Sequence, residues 1–259
     1  MAAITLLEPA PIPMDCRGAL QPLDVRDEVV SLSGVQKTYS QGGVSTRVLD
    51  GCELTVRRGE CVYLHGPSGS GKTTLLSIIG CVLQADHGTV RIMGRDVRTL
   101  SSSAAAEMRR TNIGFVFQRF HLVRGLSALD NVCLPLLLNG ISHAAAARRG
   151  SDLLARVGLG DKAHCEPRRL SVGQCQRVAL ARALAADPPL ILADEPTASL
   201  DAELGQQAMR LLRSLTVEMG KTAVVVTHDP RIEAFADRIL VMENGQIAQR
   251  RLEPVLNGS

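Results

Sequence analysis

The run Gly66-Pro67-Ser68-Gly69-Ser70-Gly71-Lys72-Thr73 follows the spacing G-x-x-x-x-G-K-[ST]. Glycines at that spacing let successive backbone N–H groups converge on a phosphate chain, and a helix opening there adds the positive end of its dipole. Lys72 offers a point charge to the β- and γ-phosphates, and the Thr73 hydroxyl can ligate Mg2+. By itself the motif says nucleotide, not which reaction. Further along, the apolar run Leu190-Ile191-Leu192-Ala193 stops at Asp194-Glu195. Without the upstream loop these would be two solvated carboxylates opening a turn before Pro196. With it, Asp194 is placed to hold Mg2+ through water and Glu195 to orient and deprotonate an attacking water. A third run, Leu170-Ser171-Val172-Gly173-Gln174-Cys175-Gln176-Arg177, opens a helix with a serine and a glycine, offering a hydroxyl and backbone donors to an anion.

These residues need elements to hold them. Residues 29–35 and 47–56 partly alternate apolar and polar, which predicts two half-buried antiparallel strands. Residues 61–65 are a short apolar strand, and helical spacing resumes from Lys72 through Ile79, giving strand, glycine-rich loop, helix. A strand is expected over 112–118, then helices over 127–138 and 142–157 with Ser127 and Ser142 as N-caps. A third helix over 172–186 ends at Asp187-Pro188-Pro189, ahead of the buried strand 190–193. Residues 202–219 form a helix ended by Gly220, and the β-branched run 222–227 leads into His228-Asp229-Pro230. Asn244-Gly245 between two apolar stretches signals a two-residue hairpin. Strands alternating with helices imply an α/β, doubly wound sheet, whose ligands bind outside the carboxyl ends of the strands. The glycine loop, Asp194-Glu195 and His228 all fall there.

Composition narrows the class. The chain of 259 residues is 45% hydrophobic and 21% charged, which suits a globular protein and excludes collagen, a coiled-coil rod or an acidic tail. A formal charge of +3 and only 2% aromatic residues give little basis for nucleic-acid binding. Basic doublets such as Arg57-Arg58 and Arg148-Arg149 are dispersed and read as solvated faces. The 7 cysteines form no C-x-x-C pair and sit beside apolar neighbours, as reduced core thiols would. His164, Cys165 and Cys175 lack the repeated spacing of a zinc site, so no protein-ligated structural metal is expected. Residues 1–27, with Pro9, Pro11, Pro13 and Pro22, have neither a basic n-region nor an apolar h-region and read as a flexible extension, with 252–259 as a tail. The longest uncharged run, 131–147, is interrupted by Pro135, Asn139 and Gly140 and falls short of a membrane span, so a membrane connection would come through a partner.

The third run, with its continuation Gln176-Arg177-Val178-Ala179-Leu180-Ala181-Arg182-Ala183-Leu184, resembles the L-S-G-G-Q signature of ATP-binding cassette (ABC) ATPases. The phosphate-binding loop (Walker A), this signature, the carboxylate strand with its Pro196-Thr197-Ala198-Ser199-Leu200-Asp201 sequel, and Thr227-His228-Asp229 occur in the family's order. The resemblance covers residues 29 to about 250. It implies a P-loop NTPase with a RecA-like parallel-sheet core, an N-terminal antiparallel β subdomain and a helical subdomain inserted at about 119–186, together making up 28–251. It implies ATP and Mg2+ as cofactors, Gly66 to Thr74 as the phosphate site, and Thr73, Asp194 and Gln118 about the metal. Gln118 corresponds to the Q-loop glutamine, Asp201 to the D-loop residue, and His228 to the switch histidine at the γ-phosphate; Glu195, Gln118 and His228 make up the implied catalytic set. Ser171, Gly173 and Gln174 would contact the partner's ATP. Tyr39 is similar to the aromatic that stacks on adenine, the alternative being an exposed strand-end tyrosine. One position departs from the pattern: Val172 stands where the family has its first signature glycine, and a β-branched residue resists positive φ and adds bulk, which puts the hydrolysis rate in question.

In the family two such domains pack head to tail with ATP between the loop of one and the signature of the other. Residues 113–122 and 193–201 are similar to the macrolide-exporter, lipoprotein-releasing and glycolipid-exporter subgroup. The implied function is the ATPase subunit of a membrane transporter, at the cytoplasmic face of the inner membrane through a separate permease. The alternatives are transmission of force to a cell-envelope complex without transport, or a soluble ABC ATPase acting on nucleic acid. The last lacks both the long heptad arm and the second cassette its known types carry. A small-molecule P-loop kinase would leave Gln118, His228 and the signature without a purpose.

Overall fold

The computed structural model describes residues 27–249. The sequence readings for 1–26 and 250–259, and Cys16, lie outside the described residues. Two sheets organise the rest. The first is antiparallel, in the order β2-β1-β4-β5, with β1 at Glu28–Gln41, β2 at Val44–Arg57, β4 at His87–Ile92 and β5 at Arg95–Asp96. The second, in the order β10-β9-β3-β8-β7-β6, comprises β3 (Cys61–His65), β6 (Ile113–Phe117), β7 (Leu190–Asp194), β8 (Thr222–Val226), β9 (Arg238–Glu243) and β10 (Gln246–Gln249). Its pairs are parallel except for the β9–β10 hairpin, which turns at Asn244 and Gly245, both at positive φ.

The central strands read as unbroken apolar runs because both of their faces are covered. Successive side chains enter opposite cores. Val62, Leu64, Leu190, Leu192, Val224 and Val226 pack toward the antiparallel sheet and helix α1 (Lys72–Ile79). Tyr63, Ile191, Ala193, Ala223 and Val225 pack the other way, among α3 (Ala128–Leu138), α4 (His143–Arg156), α5 (Val172–Ala185) and α6 (Ala202–Glu218). Helix α2 (Ser102–Asn112) leads into β6. Ser127 and Ser171 cap α3 and α5 in reciprocal capping boxes with Asp130 and Gln174. Ser142 stands at the N-cap of α4 without a side-chain cap bond. Strand β4, strand β5 and helix α2 were not anticipated from the sequence.

The described cysteines are free thiols, and Cys52, Cys61, Cys81 and Cys133 are buried. Burial pushes the Cys61 thiol up to about 12 and those of Cys52 and Cys81 up to about 11. These groups stay protonated and act as small hydrophobes. Among the described residues no helix is long and apolar enough to cross a membrane.

Candidate functional site

Strand register assembles the site. Leu64 of β3 and Asp194 of β7 both pair with Val226 of β8, and Phe117 of β6 pairs with Asp194. The carboxyl ends of four adjacent parallel strands therefore lie in one row, and the residues that follow them are the glycine loop, Thr227-His228, Glu195 and Gln118. Two main-chain bonds carry the row past the strands, Thr227 N–H to Leu64 O at 3.1 Å and Glu195 N–H to Val226 O at 2.8 Å.

The loop between β3 and α1 is wedged between two strands. A Cβ on Gly71, whose φ is 105°, would lie 2.7 Å from Val48 O, and one on Gly66 would lie 2.3 Å from Met242 O. Only glycine fits at either place. Pro67, Ser68 and Gly69 are exposed at the loop tip. Ser70 is 7% exposed and its buried hydroxyl has no hydrogen-bond partner, an orphan that a bound anion would satisfy. Lys72, also 7% exposed, folds back so that Nζ donates to Gly66 O at 2.7 Å and Pro67 O at 2.9 Å. The ammonium is thus held at the centre of the loop that phosphates would enter. The Thr73 hydroxyl donates to Asp194 Oδ1 at 3.2 Å, bringing together two oxygen donors 121 positions apart in the chain. Thr74 follows, half-buried on α1.

Burial raises the Asp194 pKa, opposed by the Thr73 hydroxyl and the Lys72 charge and reinforced by neighbouring Glu195. Hard oxygen donors, here a hydroxyl and a carboxylate, suit Mg2+. No three His, Cys, Asp or Glu side chains converge among the described residues, so a cation here would draw its remaining ligands from phosphates and water.

Glu195 sits at φ 47°, a strained region for a residue with a Cβ, immediately after β7. Its Oε1 is 2.9 Å from His228 Nδ1, and its Oε2 accepts from the His228 backbone N–H at 3.3 Å. The carboxylate and the imidazole meet although 33 residues separate them. Thr197 and Asp229 sit beside this pair, with Arg231 donating to Asp229 and holding its carboxyl below the usual range. Gln118 is exposed, and its carbonyl accepts from the Ser199 hydroxyl at 3.1 Å.

The remaining candidates lie further out. Ser171 Oγ accepts from Gln174 N–H at 3.2 Å, and Gln174 Oε1 accepts from Ser171 N–H at 2.9 Å. The amides of Val172 and Gly173, in the helix's first turn, have no intrahelical acceptor. Gly173 faces Leu204 of α6. Val172 opens α5 and is not among the residues with positive φ, so the strain expected of a β-branched residue here does not arise. What remains is bulk: the residue is 48% exposed. Asp201 caps α6, its Oδ1 accepting from Leu204 N–H at 2.9 Å. Tyr39 on β1 is 44% exposed and pairs with Thr46, two residues before Val48, whose carbonyl abuts Gly71. Lys37 Nζ lies 5.9 Å from the Tyr39 ring centre.

Sequence reading missed two contacts at this end of the sheet: Ser199 on Gln118, and Arg182, which donates to Phe120 O and His121 O. A charged residue inside the apolar stretch 178–185 was the available signal for Arg182.

A family model described as ABC transporter matches residues 49–198. A macrolide export ATP-binding/permease protein, MacB 1 of Aeromonas hydrophila subsp. hydrophila, is 44% identical over 231 residues, covering 89% of this chain and 36% of that protein. An uncharacterised ABC transporter ATP-binding protein of Mycobacterium tuberculosis is 47% identical over 219 residues, covering 85% of this chain and 66% of that one. The chain thus spans about a third of the first relative and just under two thirds of the second. Among solved structures, a dimeric ATP-binding cassette in a post-hydrolysis state bound to ADP and Pi superposes with a TM-score of 0.79 at 42% identity, covering 86% of this chain and 99% of that one.

Proposed function

The chain belongs to the ABC transporter family and has the fold of its ATPase cassette, and from that premise we propose that it binds and hydrolyses MgATP to drive a membrane permease. The observation that carries this reading is the row of four strand ends, which brings a phosphate loop, a Thr–Asp oxygen pair, a carboxylate on a histidine and an exposed glutamine to one edge.

In this reading the loop amides and Lys72 bind the β- and γ-phosphates, and Thr73 with Asp194 and Gln118 holds Mg2+, which offsets charge on the phosphates. Glu195 accepts the proton of the attacking water. His228 sits on Glu195 and is placed to orient it and to contact the γ-phosphate. Tyr39 supports the adenine, on the β2 side of the loop. Ser171, Gly173 and Gln174, carried by a helical subdomain at about 119–186, face the ATP of a second copy across a head-to-tail dimer, with Asp201 at the same seam. The dimeric solved relative supports self-association. The name of one relative, a macrolide export ATP-binding/permease protein, supports an export system and a permease partner. Peripheral placement at the cytoplasmic face of the membrane follows from that partner.

Glu195→Gln keeps the shape and removes the base. It is expected to retain ATP binding and lose on the order of 10²–10⁴ in turnover, the range for general-base catalysis. Steady-state phosphate release and equilibrium ATP binding measure the two separately. Near-wild-type hydrolysis would remove Glu195 from the role.

A further inference from the structure

We infer that Arg182 is a positioning residue that ties the loop carrying Gln118 to the helix opened by Ser171, so that the two move as one body. The inference rests on the proposed role of Gln118 at the nucleotide. Arg182 lies in the third turn of α5, between Ala181 and Ala183, both buried. Its Nη1 donates to His121 O at 2.6 Å and its Nη2 to Phe120 O at 2.6 Å. The planar guanidinium thus forks across two consecutive carbonyls, a geometry that lysine cannot reproduce.

Those carbonyls belong to an unusual turn. Phe120 and His121 have φ of 59° and 47°, two adjacent non-glycine residues in the left-handed region. Such a pair persists only where its surroundings over-determine it. Phe120 N–H bonds back to Phe117 O at 3.0 Å, the His121 ring lies 4.7 Å from that of Phe117, and Arg182 holds the outer side. Burial pulls the Arg182 pKa below its usual value, so the two carbonyls are what compensate a desolvated charge.

A second contact beside it makes the tie rigid. At Gly114 a Cβ would lie 2.2 Å from Ala183 O, so α5 presses on the backbone of β6 one residue from Arg182. On the far side, Ser199 holds the Gln118 carbonyl. Phe117 ends the strand and Phe120 is pinned to α5, so Gln118 and Arg119 are the two residues that span these anchors. A displacement of the Ser171 helix must reach Gln118 within two residues, and the reverse holds for a pull on Gln118.

The test is a double-mutant cycle in ATP hydrolysis by the full chain. Arg182→Gln is expected to lower kcat about tenfold or more while moving KM for ATP by about twofold or less, the split of a misplaced catalytic group. In a Gln118→Ala background the same change is expected to add less than about a twofold loss, because both act through one group. Arg182→Lys should fall between wild type and Arg182→Gln. Losses that multiply in the double variant would overturn the inference. Amide hydrogen exchange provides a readout independent of catalysis: residues 118–122 should exchange faster in Arg182→Gln, with β6 unchanged, and equal protection would overturn the tie. If Arg182→Gln does not fold, Arg182→Lys carries both measurements. A wild-type chain with no ATP turnover would remove the proposed function, and the exchange experiment would still decide the tie.

Discussion

Asp194 stands where burial disfavours ionisation, a cost that a bound cation would offset. Burial raises its pKa in the folded chain, so its contribution to stability is fully present below the ordinary carboxylate value of about 3.9 and is lost as pH rises through the raised one. When ionised, the carboxylate is a half-buried negative charge in the nucleotide-free chain. Asp194→Asn is expected to raise the melting temperature at pH 7, by about 2–4 °C for each kcal/mol relieved. That gain should shrink near about pH 4, close to the ordinary carboxylate value, because burial favours the protonated form of the wild-type carboxyl. The same variant should lose the extra stabilisation that MgATP confers on wild type. Thermal unfolding at the two pH values, with and without MgATP, measures all three, and a lower melting temperature for the variant at pH 7 would contradict the assignment. At this scale the sequence showed which residue types were present, since each is part of a contiguous run. It did not show how they meet. The Glu195–His228 pair spans 33 positions, the Ser199 bond to Gln118 spans 81, and the helical backbone of Val172 followed from its place at the start of α5 rather than from its residue type.

Among the elements, strands and helices that bury a full face were legible and those that do not were missed. Strands β3, β7 and β8 are covered on both sides and read as continuous apolar runs. Helix α2 buries only Met108, which leaves no stripe to find, and β4 alternates over just 6 residues at the edge of a glycine turn. Also invisible was the backbone contact between β6 and α5, because a glycine in a strand signals close approach without naming what approaches. Gly114→Ala would force these two elements apart. Overpacking of this kind typically destabilises by about 1–3 kcal/mol. Urea unfolding should show that loss as a lower midpoint with little change in slope. A midpoint equal to wild type would mean that α5 and β6 can separate freely, which would also weaken the case that Arg182 links them.

At the scale of the molecule, one chain holds half of each proposed site. Lys72, Thr73, Asp194 and Glu195 gather at one sheet edge, whereas Ser171 and Gln174 bond to each other at the head of α5. In the first turn of that helix Ser171 Oγ caps the Gln174 amide, while the amides of Val172 and Gly173 have no intrahelical acceptor and are open to an anion. A second copy with its phosphate loop against this helix end would satisfy them, and ATP would then be the glue of the dimer rather than a ligand of either half. The decisive measurement is the mass in solution of the Glu195→Gln chain with saturating MgATP, alongside the same chain without nucleotide and a Ser171→Arg version of it. The expected result is a dimer in MgATP only, absent without nucleotide and abolished by the arginine. A chain that binds MgATP and stays monomeric would contradict the shared site on which the account depends.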